Sequence, residues 1–149
     1  MDKGWREAGK RPSRSVGLHQ KIYESHPEIN AITVATPANL MAFGITRTPL
    51  DSRTIPESYI MMREIVRVPF GTPFTDPQSI SDKIGERNPV VLVENDCIVT
   101  TGNTLIKAFD RLEVAEFTAN TIINAQKIGT IQAISDEEIE TINKAFNLN

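Results

Sequence analysis

Between Asn88 and Gly129 the chain reads NPVVLVENDCIVTTGNTLIKAFDRLEVAEFTANTIINAQKIG, and this stretch constrains the fold more tightly than any other. Val90-Val91-Leu92-Val93 is an uninterrupted apolar run, too short for a helix and rich in β-branched residues, so it predicts a buried strand. A polar corner follows, Glu94-Asn95-Asp96-Cys97, and then a second short strand, Ile98-Val99-Thr100-Thr101. Gly102-Asn103 breaks that strand, with Asn103 as the expected N-cap of a long helix. Leu105, Ala108, Phe109, Leu112, Ala115, Ala119, Ile122 and Ile123 recur at spacings of three and four, which defines one helical face. Lys127 suits the negative end of the helix dipole and Gly129 the position just beyond it. Each large side chain fully buried along such a face contributes roughly 1.5–3 kcal/mol, so this helix should form a principal wall of the core.

The rest of the chain supplies partners for that wall. Pro12-Ser13 leads into a short helix, capped by Ser13 or Ser15, with Leu18 and Ile22 one turn apart on a single face. It must stop before His26-Pro27, because a residue preceding proline avoids the helical region. Asn30–Thr36 reads as a strand in which Val34 and Thr36 point to the same side. Pro37 opens a short helix carrying Leu40, Met41 and Phe43 that Gly44 closes. A helical piece near Ser58–Met62 and a strand at Val66–Phe70 follow. Asp76-Pro77 then starts a helix with Ile80 and Ile84 as its buried residues. Ser135-Asp136-Glu137-Glu138 is a capping box for a last helix that buries Ile139, Ile142 and Phe146. Strands and helices in this order predict an α/β fold, a layered sheet flanked by helices. We expect a single domain spanning 1–149, with residues 1–11 as an irregular basic tail.

Composition removes whole classes of function. A net charge of -3 argues against nucleic acid as a partner, since such proteins present a basic surface. No apolar run approaches the roughly 18 residues of a membrane span, and no signal-peptide pattern is present. The single cysteine rules out an internal disulfide and fits a reducing compartment, so the expected location is cytoplasmic.

Several ordered pieces of the sequence resemble the class II aldolase/adducin family. They are the strand ending in Glu94-Asn95, the second strand ending in Gly102, the helix segment KAFDRLEVAEFTA, and upstream KRPSRSVGLHQKIYESHPEINA, IPESYIMMREI and VPFGTPF. The resemblance runs from about Pro12 to Asn149 and corresponds to the C-terminal part of a family member. It implies a class II aldolase-like fold, in part. In the family the corner reads Glu-Asn-His-Gly and its histidine is a zinc ligand; here the last two places hold Asp96 and Cys97. The family's His-X-His pair falls on Val34 and Thr36, and its catalytic glutamate on Ser15. His19 and Tyr23 match a family pattern in the first helix. His19 is expected to be hydrogen-bonded within the fold, and His26 to lie exposed in a turn.

A zinc aldolase needs a metal to polarise a carbonyl, a base for the neighbouring proton, and donors for the substrate phosphate. Of the implied ligand positions, only Asp96 can bind a divalent ion; valine has no lone pair and threonine is a poor zinc ligand. Ser15 does not replace a carboxylate base. The family's phosphate-binding loops precede its Pro-Ser pair, and most of that region has no counterpart before Pro12. MDKGWREAG reads at most as a remnant of it. A nucleophilic role for Cys97 would need nearby positive charge, which the local sequence lacks. Glu113 and Glu116, at i and i+3, read as the polar flank of a solvated helix face. The expected function is therefore a catalytically degenerate family member with no metal or other cofactor, acting as a scaffold or interaction protein. The alternative is a zinc-dependent aldolase or lyase acting on a sugar phosphate such as fuculose or rhamnulose phosphate. The expected partner is a second copy or another chain covering an exposed sheet edge.

Overall fold

The computed structural model describes residues 8–148. The expected irregular tail falls partly on residues 1–7, and with it most of the MDKGWREAG segment lies outside the described residues. The elements run α1 (Val16–Ser25), β1 (Ala31–Ala35), α2 (Ala38–Gly44), a 3-10 turn (Ser52–Thr54), α3 (Pro56–Met62), β2 (Val66–Val68), α4 (Thr72–Thr75), α5 (Pro77–Ser81), β3 (Val90–Val93), β4 (Cys97–Gly102), α6 (Leu105–Ile128) and α7 (Asp136–Phe146). The strands form one four-stranded mixed sheet in the order β1-β4-β3-β2. β4 runs antiparallel to both β1 and β3, whereas β2 is parallel to β3.

The central pair is buried on both faces along its entire length. Because side chains alternate along a strand, β3 feeds two separate cores. Val91 and Val93 join Leu18 and Ile22 of α1, Ile80 of α5 and Ile84 on one side. Val90 and Leu92 join Leu40 and Phe43 of α2, Met62 of α3, and Ala115, Ala119 and Ile122 of α6 on the other. Strands covered twice read as unbroken hydrophobic runs, which explains the VVLV segment. The parallel partner β2 requires a crossover, and α4 and α5 provide it. Asn95 turns the β3–β4 hairpin at φ 55, a left-handed conformation that asparagine tolerates.

Several boundaries and faces differ from expectation. The cap of α6 is Thr104, whose hydroxyl accepts the Lys107 N–H at 3.1 Å, and not Asn103. The buried stripe of α6 is rotated away from Leu105 and Phe109, which are 67% and 53% exposed, towards Thr118. An apolar count passes over Thr118. It is tolerated in the core because its hydroxyl bonds both the Val114 carbonyl, at 2.7 Å, and Ser58, at 2.6 Å. Small residues at Ala108, Ala115 and Ala119 let the helix lie close to its neighbours. The last helix packs peripherally: none of its residues is buried and Phe146 is 57% exposed. The strand expected over Val66–Phe70 ends at Val68, because Pro69 has no N–H for the ladder and Gly71 takes φ 85 to start α4. α5 ends at Ser81, so Ile84 is buried from the loop beyond it.

Among the described glycines, the tightest surroundings are at the β4–α6 junction. A Cβ on Gly102 would lie 2.6 Å from the Ala108 nitrogen and 2.9 Å from the Thr104 carbonyl oxygen, both backbone atoms that cannot swing aside. We therefore expect Gly102→Ala to cost stability at the upper end of the roughly 1–3 kcal/mol typical of overpacking. Urea denaturation measures this, and an unchanged midpoint would contradict the close approach.

Candidate functional site

One end of the sheet carries a cavity of about 220 Å³. Three structural devices converge on it. The segment Ser13-Arg14-Ser15 enters α1 there, with the Ser13 and Ser15 hydroxyls 2.9 Å apart. Ser15 occupies the N-cap position but its side chain makes no capping bond. The C-terminal end of β1 contributes Val34 and, just beyond the strand, Thr36. The β3–β4 turn contributes Asp96 and Cys97. The structure thus gathers Ser15, Val34, Thr36 and Asp96 at one place, although they are far apart in the chain. Strand alternation aims Val34 and Thr36 the same way, and the β1–β4 pairing sets Ala35 opposite Ile98, next to Cys97.

Phe74 of α4 lines the cavity, and the Arg14 guanidinium carbon sits 5.4 Å from its ring centre, within cation–π range. The sequence gives neither Arg14 nor Phe74 a role. Their only signal was position, Arg14 between the two serines and Phe74 inside VPFGTPF.

The donor chemistry of the cavity does not suit zinc. Asp96 offers a carboxylate, Thr36 and Ser15 offer hydroxyls, and Val34 offers nothing. Burial pushes the Cys97 thiol up to about 11, with the charge of Asp96 acting in the same direction, so the sulfur stays protonated near neutrality. Among the described residues no group of three or more histidine, cysteine, aspartate or glutamate side chains is placed to hold a metal ion. No step through a metal is therefore derived for these residues.

The remaining polar residues singled out from the sequence fall elsewhere. Among the described residues His19 does not find the expected hydrogen bond: its buried Nε2 has no partner there, and its ring meets Tyr23 edge-on at 6.5 Å. Burial holds its pKa below the ordinary imidazole value, so the ring is neutral and behaves as an aromatic packing element. His26 is not exposed in its turn, since Nε2 bonds the Ser81 carbonyl at 2.8 Å and Nδ1 lies 3.3 Å from Glu28. That contact ties the end of α1 to α5. Glu113 is exposed as expected, but Glu116 is not part of a merely solvated flank. Its carboxylate accepts the backbone N–H groups of Asn39 at 3.0 Å and Leu40 at 2.9 Å, and so caps α2 from another helix. Neither glutamate lines the cavity.

Comparison with known proteins places the fold and the cavity in a wider setting. Residues 1–123 match the Class II Aldolase and Adducin N-terminal domain. An L-fuculose phosphate aldolase of Methanococcus vannielii is 29% identical over 110 residues, covering 71% of this chain and 58% of that protein. YgbL of Klebsiella pneumoniae, whose activity is described only as aldolase, epimerase or decarboxylase, superposes with a TM-score of 0.75 at 25% identity. That match covers 90% of this chain and 67% of YgbL. An L-fuculose 1-phosphate aldolase superposes with a TM-score of 0.77 over 95% of this chain and 67% of its own. At 21% identity, this last likeness speaks for the fold alone.

The state of Cys97 is directly measurable. Its folded pKa lies above its ordinary value of 9.0, so a neutral thiol is retained until the pH climbs towards about 11. The stability this confers is complete below the lower value and is lost as the pH rises through the upper one. Alkylation by iodoacetamide at pH 8 should be slower in the native protein than in urea by about a hundredfold, the ratio of thiolate fractions. Equal rates would mean that the sulfur is exposed and ionisable.

Proposed function

This chain belongs to the class II aldolase and adducin family, and we propose that within it the chain is a metal-independent binding or scaffold member and not a zinc aldolase. The observation that carries this reading is the composition of the cavity at the β1 and β3–β4 ends. The family resemblance implies metal ligands at Val34, Thr36 and Asp96 and a base at Ser15. Among the described residues, the side chains that meet there supply one carboxylate, Asp96, and no imidazole, and the place of the family's carboxylate base is held by the hydroxyl of Ser15. Val34 is 39% exposed, so a histidine there would meet no packing obstacle. Val34, Thr36 and Asp96 belong to neither core, so different side chains there leave the packing of the fold in place.

Purified protein should hold far less than one zinc per chain by elemental analysis. The variant combining Val34→His, Thr36→His and Asp96→His should gain zinc affinity by calorimetry, because three ligands and an open position is the arrangement of a catalytic zinc. The affinity should be modest, since no partners orient the new rings. Aldol cleavage should remain absent with serine at position 15. Stoichiometric zinc in the unmodified protein, lost on changing Asp96, or cleavage of fuculose or rhamnulose phosphate, would establish the aldolase alternative instead. A folded triple variant with no gain in affinity would show that the three positions do not converge.

The same reading includes an assembly in the cytoplasm. Among the described residues β1 pairs only with β4 and β2 only with β3, so each leaves one row of backbone groups unpaired. Such edges template pairing. Among the described residues, no helix is long and apolar enough to cross a membrane. A second copy or a partner chain over one edge is expected, seen by light scattering as a mass above that of one chain. A monomer at high concentration would count against a second copy.

A further inference from the structure

A larger cavity, of about 670 Å³, lies at the opposite end of the sheet, where Ile65 precedes β2 and Asn88 precedes β3. It shares no lining residue with the cavity around Asp96. Its volume falls in the range of small-molecule sites. Three arginines line it, Arg53, Arg63 and Arg87. Arg53 is already committed, held by Asp51 at 3.3 Å and Asp136 at 3.1 Å. Arg63 and Arg87 form no ion pair among the described residues. After Asp51 is matched with Arg53, the only remaining acid among the described lining residues is Glu64, which is exposed.

Arg63 is unusual in its backbone. It follows α3 at φ 49 and ψ -107, with its N–H donated to the Tyr59 carbonyl at 2.8 Å. Its own carbonyl accepts the Ser52 hydroxyl. A positive φ just past a helix end is the position where glycine is the default, because any Cβ is strained there. A chain that needed only to end α3 would place glycine at this point. Strain of this kind persists where surrounding contacts enforce it and concentrates at ligand-holding positions. Here it fixes the stem of an uncommitted guanidinium on the cavity wall. Pro49, Leu50 and Ile65 supply an apolar side to the same space.

We propose that this cavity is a binding site for a small phosphorylated molecule, its phosphate held by Arg63 and Arg87 and its organic part against Leu50 and Ile65. Guanidinium groups match phosphate oxygens in forked pairs, and two of them suit a dianion better than a singly charged carboxylate. The site does not depend on the reading of the cavity around Asp96, and its test involves neither zinc nor aldol chemistry.

Calorimetry with phenyl phosphate, inorganic phosphate and benzoate tests it on the full chain. Phenyl phosphate should bind with one-to-one stoichiometry, more tightly than either of the other probes. The double variant Arg63→Gly, Arg87→Ala should weaken that binding by roughly tenfold or more, the scale of hydrogen bonds to a charged group. Its melting temperature without ligand should not fall, since glycine relieves the strain at position 63. Arg47→Ala, an exposed arginine outside the lining, should leave binding unchanged. Wild-type affinity in the folded double variant, or an equal loss in Arg47→Ala, would overturn the site. Benzoate binding as tightly as phenyl phosphate would overturn its assignment to phosphate.

Discussion

The fold depends on β3 and β4 being sealed on both faces. Val90, Val91, Leu92, Val93, Ile98 and Val99 are each essentially inaccessible to solvent, and they divide by alternation between the α1/α5 core and the α2/α3/α6 core. At roughly 1.5–3 kcal/mol for each large side chain, this hairpin is the element whose loss would dissolve both cores at once. Its tight turn at Asn95 and its exit at Gly102 are the points where the backbone has least freedom, one by conformation and the other by steric contact with α6.

That rigidity holds the lining of the cavity around Asp96 in place. Asp96 sits in the turn that the sealed hairpin holds in place, and Val34 is paired through β1 to Val99 of the same hairpin. The positions are fixed by the sheet, but the side chains at Val34 and Thr36 face outward and are not needed by either core. Substitution there comes at almost no cost to packing.

The buried polar groups follow a different logic, for each must find a partner or contribute instability. Thr100 bonds the Ala108 carbonyl at 2.7 Å and helps dock α6 on β4. Glu116 spans from α6 to the start of α2. Arg111 donates to the Thr101 carbonyl at 2.7 Å, while its buried Nε has no partner among the described residues. Burial lowers its pKa, and the charge of Glu86 opposes that shift. These contacts join α6 to β4 and to α2, elements far from each other in the chain or facing across it, so local sequence gives no sign of them.

The sequence by itself determined the order and identity of the elements apart from the short α4 and the 3-10 turn at Ser52–Thr54. Unbroken β-branched runs, prolines that stop or start helices, and the Ser135–Glu138 capping box act through near neighbours, and each is found where local chemistry puts it. The resemblance carried by the Glu94-Asn95 corner and the α6 segment was enough to name the fold and to expect Ser15, Val34, Thr36 and Asp96 at one site. Tertiary structure alone decided which side of α6 is buried, because a threonine becomes a core residue once Ser58 and Val114 satisfy its hydroxyl. It alone decided that His19 would be an unpartnered aromatic packing group and that Glu116 would cap a distant helix. And it alone brought Arg63 and Arg87 to one cavity, since charges far apart in the chain become neighbours only when parallel strands β2 and β3 align their starting ends.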